Sequence, residues 1–137
     1  MPKVSLTRKY SFSAAHRLHS EALNTEQNME VFDKCNNYYG HGHDYYVEVT
    51  VSAVPDAEAG MIISLPVLDK TVNEFLATLD HKHLDHEVHY FKDITSTGEN
   101  IIQYIWDELN KRIADEKLWH VRLWETKNNY FDIGKDN

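Results

Sequence analysis

The stretch CNNYYGHGHDYYVEVTV, residues 35 to 51, sets the chain's single cysteine ahead of two histidines that flank a glycine. His41 and His43 stand at i and i+2, on the same parity as Tyr45, Val47, Val49 and Val51 of the alternating run that follows. On a strand rising ~3.3 Å per residue, such side chains point the same way about 6 to 7 Å apart, so two imidazoles can converge on one ion. Glycine between them leaves the opposite face clear for a close backbone approach. A third ligand is needed, and His16, which ends another apolar strand face, is the best candidate. Three neutral histidines would hold Zn²⁺ with a fourth position open, the catalytic and not the closed structural pattern. The competing reading is a hydrogen-bonded core histidine, which suits His16 taken alone. It suits the His41 and His43 pair less well, because each buried imidazole without a polar partner costs ~1 to 3 kcal/mol.

Three further groups carry chemistry. Cys35 is a small buried residue, a metal ligand or a reactive thiol; the last requires a pKa lowered by nearby positive charge, from a zinc ion or a histidine. Cysteine-type zinc sites draw on several thiols, which argues against Cys35 as a fourth ligand. In LDHKHLDH, residues 79 to 86, Asp80 precedes His81, and a turn at the end of a helix would let the carboxylate orient the imidazole as a base. A solvated, charge-rich loop accounts for His83, His86 and His89. Glu125 occupies a parity otherwise given to Val121 and Leu123, so it is either a buried acid paired with a ligand or the first residue to leave the sheet. A heterocycle with two adjacent N–H groups suits a buried carboxylate.

The elements that must position these groups read as follows. Val4 to His16 alternates as a half-buried strand, and residues 20 to 34 form a loop with a short helix marked by Leu23, Met29 and Phe32. His41 to Ser52 is the second strand. VPDAEAG, residues 54 to 60, turns the chain, and MII is expected to return as a short strand in a hairpin. Ser64 and Pro66 start a helix whose apolar stripe is Leu68, Val72, Phe75, Leu76 and Leu79. Ser96 is expected to cap a second helix, with Glu99 reaching back in a capping box, and Ile102, Ile105, Trp106, Leu109 and Ile113 on one side. This helix should fray near Ala114 or Asp115. Trp119 to Glu125 and YFDIG, joined at Asn128 and Asn129, form a final strand pair. Such segregation indicates an antiparallel sheet with helices on one face.

Residues 1–137 read as a single domain, with 42% hydrophobic and 26% charged residues and no linker or repeat. The net charge of -8 disfavours nucleic acid as a partner, and no apolar run has the length of a membrane span. One cysteine and no signal-like N-terminus lead us to expect a cytoplasmic protein.

Taken together, FSAAHRL (12–18), CNNYYGHGHDY (35–45), LDHKHLD (79–85), STGEN (96–100) and WETKNN (124–129) resemble the 6-pyruvoyl-tetrahydropterin synthase family almost end to end. The resemblance implies an α+β tunnelling fold: an antiparallel four-stranded sheet with two helices packed on one face, assembled as a homohexamer (dimer of trimers) with sites between subunits. It implies a lyase converting 7,8-dihydroneopterin triphosphate to 6-pyruvoyl-tetrahydropterin, with Zn²⁺ on His16, His41 and His43. Cys35 would be the base, Asp80 and His81 a proton relay, and Glu125 the pterin anchor, assisted by Thr97 and Glu99. The alternatives are the related 6-carboxy-tetrahydropterin synthase and a non-catalytic zinc or pterin-binding module. The five residues between cysteine and HGH look like the pyruvoyl type, the carboxy type having a shorter spacing. Gly98, Ser64 and Lys127 depart from frequent family residues, threonine in the case of Gly98. Arg17 and Lys34 are the candidates for meeting the triphosphate.

Overall fold

The computed structural model describes residues 1–135. Its elements run β1 (Val4–His16), α1 (Thr25–Phe32), β2 (His41–Ala53), α2 (Leu65–Leu76), β3 (Lys82–His83), α3 (Leu84–Glu87), α4 (Gly98–Arg112), β4 (Leu118–Thr126) and β5 (Asn129–Gly134). Alternation in β1 and β2 turns Tyr10, Phe12 and Ala14 of one strand and Tyr45, Val47, Val49 and Val51 of the other into the core. The opposite face is polar, with Thr7 and Thr50 hydroxyls 2.7 Å apart across the ladder. The two strands pair antiparallel without interruption from Val4↔Ala53 to His16↔His41.

The expected fold class is right in kind and wrong in strand count and direction. Among the described residues the sheet has five strands in the order β3-β1-β2-β4-β5, and the two-residue β3 runs parallel to β1 at Ala14↔Lys82 and Ala15↔His83. Residues 61 to 63 form no strand. Both edges of β2 are already taken by β1 and β4, so a hairpin return has no ladder to join. The chain closes a turn instead, with Asp56 accepting the backbone N–H groups of Glu58 and Ala59 and Gly60 at φ +71°. Ile62 still reaches the core.

Ser64 caps α2 as expected, and its stripe Leu68, Val72, Phe75 and Leu76 is buried, with Leu79 just beyond. α2 packs on β1, and α4 packs on β4 and β5. In α4 the cap is Thr97, whose hydroxyl accepts from the Asn100 backbone N–H at 3.2 Å; the expected box from Ser96 to Glu99 does not form. Ser96 is fully buried and its hydroxyl is used elsewhere. In α1 the buried residue is Asn28, not Met29. Its side chain binds the Ser20 N–H and the carbonyls of Ser20, Leu23 and Asn24, tying the loop after β1 to the helix.

Phe75 is fully buried, edge-on to Tyr104 with ring centroids 5.5 Å apart. Phe75→Ala should lower the unfolding free energy by about 3–5 kcal/mol, read as a drop in the urea midpoint at unchanged m-value.

Candidate metal centre

The last pair of the β1–β2 ladder places His16 opposite His41, and His43 follows two residues on along the same face. Ring centroids lie 4.6 Å apart for His16 and His41, 5.2 Å for His16 and His43, and 4.7 Å for His41 and His43. One nitrogen from each ring falls within 4.8 Å of the others. His16 is fully buried and donates Nδ1–H to the Ser96 carbonyl at 2.7 Å, which leaves Nε2 with its lone pair. Burial pushes the His16 pKa down, and burial followed by the charge of His43 does the same for His41, so both rings favour the neutral form that a metal needs. Nδ1 of His41 is buried without a hydrogen-bond partner among the described residues. Imidazoles converging in this way, one with an orphaned nitrogen, have the donor chemistry of a Zn²⁺ site.

Glu125 comes to the same place through an irregularity of β4. Trp124 pairs with Tyr130 and Thr126 with Asn129, so Glu125 is the unpaired residue of a bulge. Its carboxylate, with the side chain 18% exposed, lies 3.9 Å from His16 Nε2. The buried Tyr45 hydroxyl, 3.5 Å from the same nitrogen, is held protonated by burial and by Glu125.

Cys35 sits in a short 3-10 helix, Asp33–Asn36. The Leu18 N–H donates to its carbonyl at 2.8 Å. The buried Asn36 amide donates to the Leu18 carbonyl at 2.7 Å, and Arg17 Nε donates to the Asn36 carbonyl at 3.1 Å. The thiol is thereby pinned alongside the residues that follow His16. Its pKa is raised, first by burial and then by Glu125 and Asp33, the opposite of what a reactive thiol requires of its own protein surroundings.

Asp80 and His81 form the expected pair, with Oδ2 and Nδ1 3.0 Å apart. Both are latched to the edge of β1 at Ser13, whose N–H donates to Asp80 Oδ1 at 2.8 Å and whose carbonyl accepts the His81 N–H at 2.6 Å. The Ser13 N–H, ahead of the His81 contacts, holds the Asp80 carboxyl below its ordinary range. The His81 side chain is 82% exposed and lines a groove of about 440 Å³ with Asp44 and His43. Cys35 does not line that groove, so the chain brings the thiol and the dyad to different places.

Thr97 and Glu99 lie at the start of α4, Thr97 spending its hydroxyl on the cap and Glu99 exposed. Between them, a Cβ on Gly98 would collide with the Phe131 ring, so Phe131 occupies the space a threonine would need. Arg17 stacks over Tyr38 at 5.3 Å and lines a second cavity of about 770 Å³ with His19, His83, His86 and Lys92, whereas Lys34 is simply exposed. Sequence reasoning missed Asp85, which accepts from the Ser96 hydroxyl at 2.6 Å and from the Arg17 backbone N–H at 2.6 Å. It stands within the LDHKHLD stretch, but no periodicity marks it.

Gly40, immediately before β2, has φ +79°, and a Cβ there would meet His83 Nε2 at 2.8 Å and the His16 carbonyl at 2.9 Å. Gly60 shares the left-handed backbone, at φ +71°, with open space around it. Gly60→Ala should therefore cost only the conformational ~1–2 kcal/mol. Gly40→Ala should cost more and weaken metal uptake as well, measured by chemical denaturation and metal titration of the two variants.

A family model described as 6-pyruvoyl tetrahydropterin synthase matches residues 5–136. The 6-pyruvoyl tetrahydrobiopterin synthase of Poecilia reticulata is 49% identical over 90% of this chain and 85% of its own length. The Homo sapiens protein of the same name is 46% identical over 93% of this chain and 88% of its own. Among solved structures, Caenorhabditis elegans 6-pyruvoyl tetrahydropterin synthase superimposes with a TM-score of 0.94 at 41% identity, covering 98% of this chain and 96% of the other.

Proposed function

Because the chain belongs to the 6-pyruvoyl tetrahydropterin synthase family, we propose that it converts 7,8-dihydroneopterin triphosphate to 6-pyruvoyl-tetrahydropterin on the way to tetrahydrobiopterin. As a carbon–oxygen lyase it expels triphosphate and rearranges the side chain internally, with no external redox cofactor. The observation that carries this reading is the meeting of three imidazoles with Glu125 beside them and Cys35 pinned next to the same strand end.

His16, His41 and His43 are the residues that hold Zn²⁺. Bound there, the ion supplies positive charge that polarises the substrate's side-chain hydroxyls and opposes the acidic surroundings of Cys35. Cys35 removes a carbon-bound proton of the side chain as a thiolate. Glu125 accepts two adjacent N–H groups of the pterin, which offsets the cost of its partial burial. The start of α4, with Thr97 and Glu99, flanks the ring. Asp80, kept a carboxylate by the Ser13 N–H, fixes the His81 ring so that it can relay the proton. The exposed position of His81 supports a dyad that serves Cys35 of a neighbouring subunit, the assembly being a cytoplasmic homohexamer, a dimer of trimers. Arg17, beside a metal ligand, is the protein's cation for the triphosphate.

Incubation of the purified protein with 7,8-dihydroneopterin triphosphate should give 6-pyruvoyl-tetrahydropterin by mass spectrometry; 6-carboxy-tetrahydropterin with acetaldehyde would sink the assignment. Cys35→Ala should lower turnover by about 10²–10⁴-fold, the range for loss of a general base, while elemental analysis still finds zinc. Turnover at the parent rate would remove Cys35 from the chemistry. His41→Ala should abolish stoichiometric zinc, and retained metal would refute the ligand set.

A further inference from the structure

His16 is oriented by a carbonyl that is itself held. Its Nδ1–H donates to Ser96 O at 2.7 Å, and both residues are fully buried. The Ser96 hydroxyl donates to Asp85 Oδ1 at 2.6 Å, and the other oxygen of Asp85 takes the backbone N–H of Arg17, the residue after His16, at 2.6 Å. One carboxylate therefore bridges the strand end that carries the ligand and the segment that aims its ring. Hydrogen bonds to an ionised carboxylate are roughly twice as strong as neutral ones. Closing the circuit through His16 and Ser96 leaves the imidazole a single orientation. His83 packs near the same carboxylate, its Nδ1 3.8 Å from Asp85 Oδ2, and its other nitrogen faces Gly40. The start of β2, with His41, thus abuts the same assembly.

We propose that Asp85 is a positioning residue of the metal centre, acting through Ser96 on His16. This rests on reading the three histidines as a metal site. Partners one shell beyond the ligands commonly set metal affinity by about 10–100-fold. An acceptor is needed only on the Arg17 side, because the Arg17 N–H can only donate whereas the Ser96 hydroxyl can donate or accept. Asparagine can turn its carbonyl to Arg17 and its amide to Ser96, so it is the conservative replacement.

The test is Zn²⁺ affinity by competition with a chromophoric chelator, with the visible spectrum of the Co²⁺-substituted protein as a second readout. Asp85→Ala and Ser96→Ala should each weaken binding about 10–100-fold and shift the Co²⁺ bands. The double variant should be no worse than Asp85→Ala alone, and Asp85→Asn should recover most of the affinity. Leu109→Ala, a core change distant in kind, should lower stability and leave both readouts unmoved. If Asp85→Ala does not fold, Ser96→Ala, which deletes one hydroxyl, decides on its own. Parent-like affinity and spectrum in folded Ser96→Ala, or losses that multiply in the double variant, overturn the role of Asp85. A parent protein that takes up no Zn²⁺ overturns the metal reading itself.

Discussion

The register of β1 against β2 is the constraint on which the rest depends. His16 faces His41 only because the ladder runs unbroken from Val4↔Ala53. A slip of one residue would send every side chain of one strand to the other face, taking the histidines out of the site and the valines out of the core together. Core and site share one specification. The apolar residues that make a wrong register expensive are the same alternation that delivers the imidazoles, so stability and the geometry of the histidine cluster are set by a single pairing.

Around that pairing the molecule collects groups by departing from regular structure. The bulge in β4 releases Glu125 from the ladder and lets it reach His16, where a continuous strand would have paired it. The two-residue β3 docks beside Ala14 and Ala15, and the turn before it, with His81 at φ +59°, latches the Asp80 and His81 pair onto Ser13. The short helix around Cys35 is sewn to residues 17 to 19 by backbone and amide hydrogen bonds. Each irregular segment costs regular hydrogen bonding and returns a titratable group at a defined place.

Period-two alternation made β1, β2, β4 and β5 legible, and with them the shared face of His16, His41 and His43. The α2 stripe and its Ser64 cap were equally plain. What alternation does not encode is competition between partners. Ser96 reads as a helix cap until the structure gives its hydroxyl to Asp85 and its carbonyl to His16, after which Thr97 takes the cap. MII reads as a strand because it is apolar, but β2 has no free edge for it. In each case a local pattern met a long-range partner, and the partner won.

The long connection 17–40 leaves the sheet at His16 and returns at His41, so two of the clustered imidazoles stand at its two feet. Holding such feet together costs entropy that grows slowly with the length of the loop, and a cation bound by both removes that freedom much as a cross-link does. An ion held there would be a rivet for the segment that carries Cys35, and its loss would loosen the thiol's mooring.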